Sequence, residues 1–203
     1  AIDKAVSFIT KRLNGEDGLG GIFPAMANSV MAFRTLGYAD DHPDYAVARR
    51  SVRKLLVEKD DEAWCQPCLS PVWDTGLAMM ALMETGEPPA SEAMNKAAAW
   101  LRDAQITEVQ GDWSGRVKDV APGGWAFQYR NDFYPDVDDT AVIAMALNRA
   151  DPSANEDALR LAADWIIGMQ SKNGGWGSFD ANNTHYYLNH IPFADHGALL
   201  DPP

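Results

Sequence analysis

The sequence lacks what would let it cross a membrane, grip a polyanion or be stapled by disulfides. Its longest uninterrupted apolar stretches, Leu77 to Met83 and Ala141 to Leu147, are far shorter than the roughly 20 residues that span a bilayer. No basic segment leads into an apolar core as a secretory signal would. Basic residues are scarce: 17 Lys and Arg against 29 Asp and Glu leave a formal net charge of −12. That balance argues against nucleic acid as a partner and against electrostatic attachment to anionic lipid. Cysteine is limited to Cys65 and Cys68. Their Cys-x-x-Cys spacing matches a thioredoxin-type redox motif, which needs a hydrophobic strand before it and a helix starting at the first Cys. Here a charged loop, Glu58-Lys-Asp-Asp-Glu62, precedes it, and Leu69-Ser70-Pro71 blocks a helix through the second Cys. A single such pair also leaves a zinc set incomplete. Sustained period-two alternation of β-branched residues is missing as well, so strands are expected to be minor.

What the chain does have is repetition. Trp73-Asp-Thr-Gly-Leu-Ala-Met-Met-Ala-Leu82 aligns without gaps to Asp138-Asp-Thr-Ala-Val-Ile-Ala-Met-Ala-Leu147, and Asn28-Ser-Val-Met-Ala-Phe-Arg-Thr-Leu36 is a fainter copy. A second unit runs from Trp100-Leu101 through Gln105 to Gly111-Asp112-Trp113, and again from Trp165-Ile166 through Gln170 to Gly175-Trp176. Each repeat pairs an Ala- and Met-rich helix with an amphipathic one and closes on a Gly-Trp loop. Helices are expected over 1–13, 25–36, 45–57, 74–83, 91–105, 139–148 and 156–170, with prolines between them. Such pairs predict an all-α fold of the α/α toroid or solenoid type. In the Gln-to-Trp units the Gln amide is expected to cap backbone groups at a helix end while the Trp packs over the next terminus. At 203 residues with 46% hydrophobic content the chain can hold a sizeable core, as one domain or part of a larger one. It opens without Met and ends on Leu200-Asp201-Pro202-Pro203, so an internal piece of a longer protein is expected.

The densest chemistry is Asp136-Val137-Asp138-Asp139, set immediately before Thr140 and an apolar run. Carboxylates this close repel one another, so at least one proton is held more tightly than usual. The run that follows reads as a buried helix, and its N-terminus stabilises a carboxylate formed when a proton leaves. A carboxyl so placed is a good proton donor. A simpler reading is that Asp138 or Asp139 merely caps the helix and the rest is solvated acid.

These residues together resemble the triterpene cyclases, specifically the bacterial squalene–hopene cyclases. The resemblance rests on the Asp-Val-Asp-Asp-Thr-Ala of residues 136–141, the two Gln-Trp units, Ser70-Pro-Val-Trp-Asp-Thr75 and Gly123-Gly-Trp-Ala-Phe-Gln128. Asn189-His-Ile-Pro-Phe193 and Asp201-Pro-Pro203 add to it. It runs from about Asp17 to the last residue, and because family members are several times longer it implies a central segment of an α/α toroid. It implies a substrate, squalene, that has no leaving group and no epoxide, so cyclisation to hopene or hopanol must begin by protonating a bare alkene. On the family pattern Asp138 donates that proton and Asp136 and Asp139 complete the acid cluster. Trp73, Phe127 and Gln128 would line the cavity with Phe179, where the family often has Tyr. Ile22 and Phe23 would sit at its far end, and Phe193 at the channel constriction. Aromatic faces there would steer the cations. No cofactor and no metal are implied. The family sits on the cytoplasmic side of the bacterial inner membrane as a monotopic protein, and a homodimer is a further implication. It also uses a His beyond Asp-Pro-Pro, a position that none of His42, His185, His190 and His196 occupies. The segment alone is therefore expected to be inactive.

Other cyclases share parts of this pattern. Oxidosqualene cyclases usually carry a single Asp followed by Cys-Thr-Ala, as suits an epoxide that needs a weaker acid. Class II diterpene cyclases use Asp-x-Asp-Asp but do not usually have Gly-Gly-Trp-Ala-Phe-Gln. The Asp-x-Asp-x-Thr of haloacid-dehalogenase-type phosphatases follows a hydrophobic strand, which Asn131-Asp-Phe-Tyr-Pro135 is not. A non-catalytic helical-repeat binding module accounts for the repeats and leaves the acid cluster unexplained.

Overall fold

Runs rich in alanine, methionine and leucine, punctuated by proline and glycine, form seven α-helices among the described residues, which are 1–192 and 201–203 of the computed structural model. They are α1 (Ile2–Lys11), α2 (Phe23–Thr35), α3 (Pro43–Lys54), α4 (Pro71–Glu84), α5 (Glu92–Asp103), α6 (Val137–Ala150) and α7 (Glu156–Gly168). Start and stop signals explain most boundaries. Pro24 and Pro43 sit in the first turns of α2 and α3, where a missing N–H costs nothing. Ser91 caps α5 by accepting from the Met94 N–H at 3.3 Å. Gly37, at φ 80°, ends α2 in the left-handed region that only glycine enters freely.

The third helix is one turn shorter than the sequence implied. It stops at Lys54, and Leu56–Glu58 (β1) pairs antiparallel with Ala63–Cys65 (β2) in a two-stranded hairpin. The charged residues 59–62 form its turn. Cys65 therefore ends a strand, and no helix starts there, since α4 begins only at Pro71. The cysteines are free thiols, without the helix that a thioredoxin-type site requires.

The chain divides into two compact units, one of residues 1–71 with 127–131, the other of residues 72–126 with 132–203. In the first unit α2 packs on α3, and Leu13, Phe33, Tyr45 and Ala48 form a core against which Val6 and Ile9 of α1 also lie. The returning segment is tied in by Gln128, whose Nε2 donates to Gly18 O at 3.2 Å and to Arg130 O at 3.1 Å.

In the second unit α6 packs on both α5 and α7. Its core joins Val72, Met79, Met83, Met94, Leu101, Trp125, Ile143 and Leu147. Gly76 lets α4 come close to α6, since a Cβ there would lie 3.3 Å from Ile143 Cγ1. The Gln-Trp units tie helix ends as the sequence suggests. Gln105 Nε2 donates to Gly123 O at 2.8 Å and to Ala158 O, in the first turn of α7, at 2.9 Å. Trp113 is buried edge-on to Trp165, with ring centroids 5.9 Å apart. In the second unit of this kind Gln170 bonds its own loop at Gly174 O, and the Trp176 Nε1–H caps Ile166 O at 2.7 Å.

Candidate active site

The site is built around the first turn of α6. Asp136 is the N-cap: its Oδ1 accepts from the Asp139 N–H at 2.8 Å, satisfying one of the donors that a helix start leaves unpaired. The cap is held from behind by the Gly123-Gly124-Trp125 segment. Asp136 N–H donates to Trp125 O at 3.0 Å, and Trp125 N–H donates to Thr140 Oγ1 at 3.0 Å. That hydroxyl in turn donates to Asp136 O at 2.6 Å. The indole N–H of Trp125 caps Leu101 O at 2.6 Å. The approach needs glycine. A Cβ on Gly123 would lie 2.3 Å from Leu161 O, and one on Gly124 would lie 2.9 Å from Thr140 Oγ1 and 3.0 Å from Trp165 Cε3.

This packing takes two of the three carboxyls out of water. Asp136 is 4% exposed and Asp139 2%, whereas Asp138 is exposed. Burial pushes the Asp136 carboxyl up to about 9; its side-chain interaction with the Asp139 carboxyl and the Asp139 charge push the same way, while the Asp139 backbone N–H on Oδ1 opposes them. Burial also raises Asp139, with the Asp138 and Asp74 charges adding to it and the hydrogen bond from Asp136 opposing. The pair thus keeps a proton at neutral pH, chiefly through burial, with the repulsion expected from the spacing of the carboxylates adding to it. Asp139 Oδ1 is buried without a hydrogen-bond partner among the described residues.

A second segment covers the front of the turn. Val137 N–H donates to Ser178 O at 2.8 Å, and the Ser178 hydroxyl reaches Asp138 Oδ2 at 2.5 Å. The carboxylate of Asp201 holds that segment in place, accepting from the backbone N–H groups of Ser178 at 2.7 Å, Asp180 at 2.6 Å and Phe179. Gly177 gives this strap its room: a Cβ there would lie 2.6 Å from Asp201 O. Neither Ser178 nor Asp201 stands out as a site residue in the sequence. The only signal for Asp201 is its place in Asp-Pro-Pro.

The other expected site residues lie in both units. Within the second, Trp73 is half-buried in the first turn of α4, and Phe179 follows Ser178 with its ring 4.8 Å from that of Tyr134. Within the first, Ile22 and Phe23 are exposed at the start of α2, where Phe23 N–H donates to Pro67 O at 2.8 Å. Phe127 is half-buried, and Gln128 is 1% exposed, its amide N–H groups committed to backbone carbonyls. Phe193 lies outside the described residues. No cluster of possible metal ligands occurs among the described residues, and no helix there is long and apolar enough to cross a membrane.

Residues 69–203 match the model of the squalene-hopene cyclase C-terminal domain, and residues 1–61 match that of the squalene-hopene cyclase N-terminal domain. Over its whole length the chain is 56% identical to the squalene–hopene cyclase of Zymomonas mobilis, covering 32% of that protein. It is 43% identical to the squalene–hopene cyclase of Alicyclobacillus acidocaldarius, with 98% of the chain and 32% of the relative aligned. It is 40% identical to the dammaradiene synthase of Dryopteris crassirhizoma, over 99% of the chain and 30% of that protein. The chain thus spans about a third of the length of the curated relatives it matches.

Proposed function

We propose that this chain, which belongs to the squalene–hopene cyclase family, carries the proton-donating centre of a cyclase that closes squalene into hopene or hopanol. Its helix pairs are part of the α/α toroid of that family. One observation carries the reading: an exposed Asp138 adjoins two buried carboxyls whose proton affinity is raised, all on one helix N-terminus.

An alkene is a poor base, so its protonation needs a donor whose conjugate base is stabilised where it forms. Asp138 is the carboxyl in contact with the outside of the turn, and it delivers the proton. The charge left on it lies in the first turn of α6, where the helix macrodipole stabilises it. The Asp136–Asp139 pair holds a proton behind it, so the cluster carries fewer negative charges than its three carboxyls would otherwise place there. On the family resemblance Trp73, Phe127 and Phe179 would offer aromatic faces, each worth roughly 0.5–2 kcal/mol to a passing cation. The same resemblance assigns Ile22, Phe23, Gln128 and Phe193 to the lining, whose role would be to keep water from quenching the cation early.

Attachment of the full-length protein to the cytoplasmic face of the inner membrane, from one side only, belongs to the same proposal, as does pairing into a homodimer. Both follow the family resemblance, and membrane flotation and sedimentation of the full-length protein test them. The acid assignment is tested directly by Asp138→Asn in the full-length cyclase. The amide keeps the volume and cannot give up a proton, so cyclisation of squalene is expected to vanish while the melting curve stays put. A rate within about tenfold of the parent would remove Asp138 from the role.

A further inference from the structure

Ser178 lies 40 residues from Asp138 in sequence, yet its hydroxyl oxygen is 2.5 Å from Asp138 Oδ2. A serine hydroxyl facing a carboxyl can donate to it, and O–H···O⁻ bonds of this kind lie at roughly 2.5–2.7 Å. The rest of Ser178 is pinned as well. Its N–H donates to Asp201 Oδ1 at 2.7 Å and its carbonyl accepts from the Val137 N–H at 2.8 Å. With both backbone groups engaged, the side chain is offered to Asp138 from a fixed position.

We propose that Ser178 is a positioning residue for the proton donor. Its hydroxyl occupies Oδ2 of Asp138, which leaves Oδ1 as the oxygen that carries and delivers the proton. The proposal rests on Asp138 being the acid, as argued above. The hydroxyl does two things for the transfer. It selects one rotamer of the carboxyl, so that the proton points in one direction. It also binds a carboxylate roughly twice as strongly as a neutral acid, so the bond strengthens as the proton leaves. An interaction that grows along the reaction lowers the barrier, whereas one that is constant does not.

The test compares two substrates in the full-length cyclase. Squalene offers an alkene, while squalene bearing a terminal 2,3-epoxide offers a far more basic oxygen and depends less on acid strength. Ser178→Ala is expected to lower kcat on squalene about tenfold with KM unchanged, and to lower kcat on the epoxide less than about threefold. Equal losses on both substrates would mean that Ser178 merely supports the loop, and a loss under about twofold on squalene would mean that the bond does nothing; either overturns the proposal. Because the ratio is read on whatever enzyme remains folded, a drop in yield does not blur it. Ser178→Cys keeps the volume with a weaker donor and gives the same ratio, should the alanine variant not fold. Asp138→Asn separates the two levels of inference. If it still cyclises squalene, the acid assignment fails. If it is inactive while Ser178→Ala treats both substrates alike, the assignment stands and the role given to Ser178 fails.

Discussion

The first turns of α4 and α6 carry the same dipeptide in the same place, Asp74-Thr75 and Asp139-Thr140, each followed by an apolar run. They end up in different surroundings. Asp74 is exposed and Thr75 half-buried, whereas Asp139 is 2% exposed and Thr140 fully buried. The aligned positions before the dipeptide differ too: Pro71 stands where α6 has Asp136, and Trp73 where it has Asp138. Neither Pro71 nor Trp73 carries a carboxyl, so α4 cannot build the acid cluster. Around α6 the Gly123-Gly124-Trp125 segment and the 177–180 strap close over the turn. A local motif sets where a helix begins. Whether its carboxyls keep their protons is decided by segments that arrive from elsewhere in the chain.

Removing the cover should have the largest effect on that contrast. Trp125→Ala deletes a fully buried indole that caps Leu101 O, and a loss of about 3–5 kcal/mol is expected from denaturant melts of the full-length protein. A loss under about 1 kcal/mol would mean that the segment is not what buries the cap.

A smaller effect, of opposite sign, is expected from Asp136→Asn. The folded-state affinity of Asp136 is raised from 3.8 to about 9, so the folded state binds this proton more tightly than the unfolded chain does. Its stabilising contribution is present in full below about pH 4 and is lost as pH rises towards about 9. Asparagine caps a helix as well as aspartate and has no proton to lose. Melting temperature followed from pH 4 to pH 9 should therefore fall less steeply in the variant than in the parent, which would place the variant above the parent at the alkaline end. Parallel curves would mean that Asp136 is not the buried acid.

The smallest change belongs to Asp74→Asn. Asp74 is the last of the causes that raise Asp139, and it acts from an exposed position, so an effect below about 1 kcal/mol at any pH is expected. The same melting series measures it. A pH response as large as that of Asp136→Asn would show that the two helix starts are coupled more tightly than their burial implies.

Much of this was legible in the sequence. Runs such as Ala141 to Leu147 fix a buried helix whatever surrounds them, and the expected helices fall within a few residues of those observed. The overrun at residues 55–57 arose because Leu56–Glu58 has too few residues to show a strand period and owes its state to a partner at Ala63–Cys65. The acid cluster was legible as a cluster, and spacing foretold the mutual repulsion, but the burial that does most to hold the proton was not legible. Which of the three carboxyls stay in water was not, because that depends on Gly124 and Trp125, more than ten residues upstream. The Ser178–Asp138 and Asp201–Ser178 contacts span 40 and 23 residues, and serine in a Gly-Trp loop carries no pattern that would single it out.

Gln105 has a kinetic consequence. Its amide reaches Ala158 O across 53 residues of chain, and it can do so only once α6 has formed and α7 has docked on it. Before that point the ordering of so long an intervening loop opposes the contact. The bond is therefore expected to form late in folding and to be among the first to go when the unit opens. Its loss in Gln105→Ala should then speed unfolding more than it slows folding, as expected of a latch on α7.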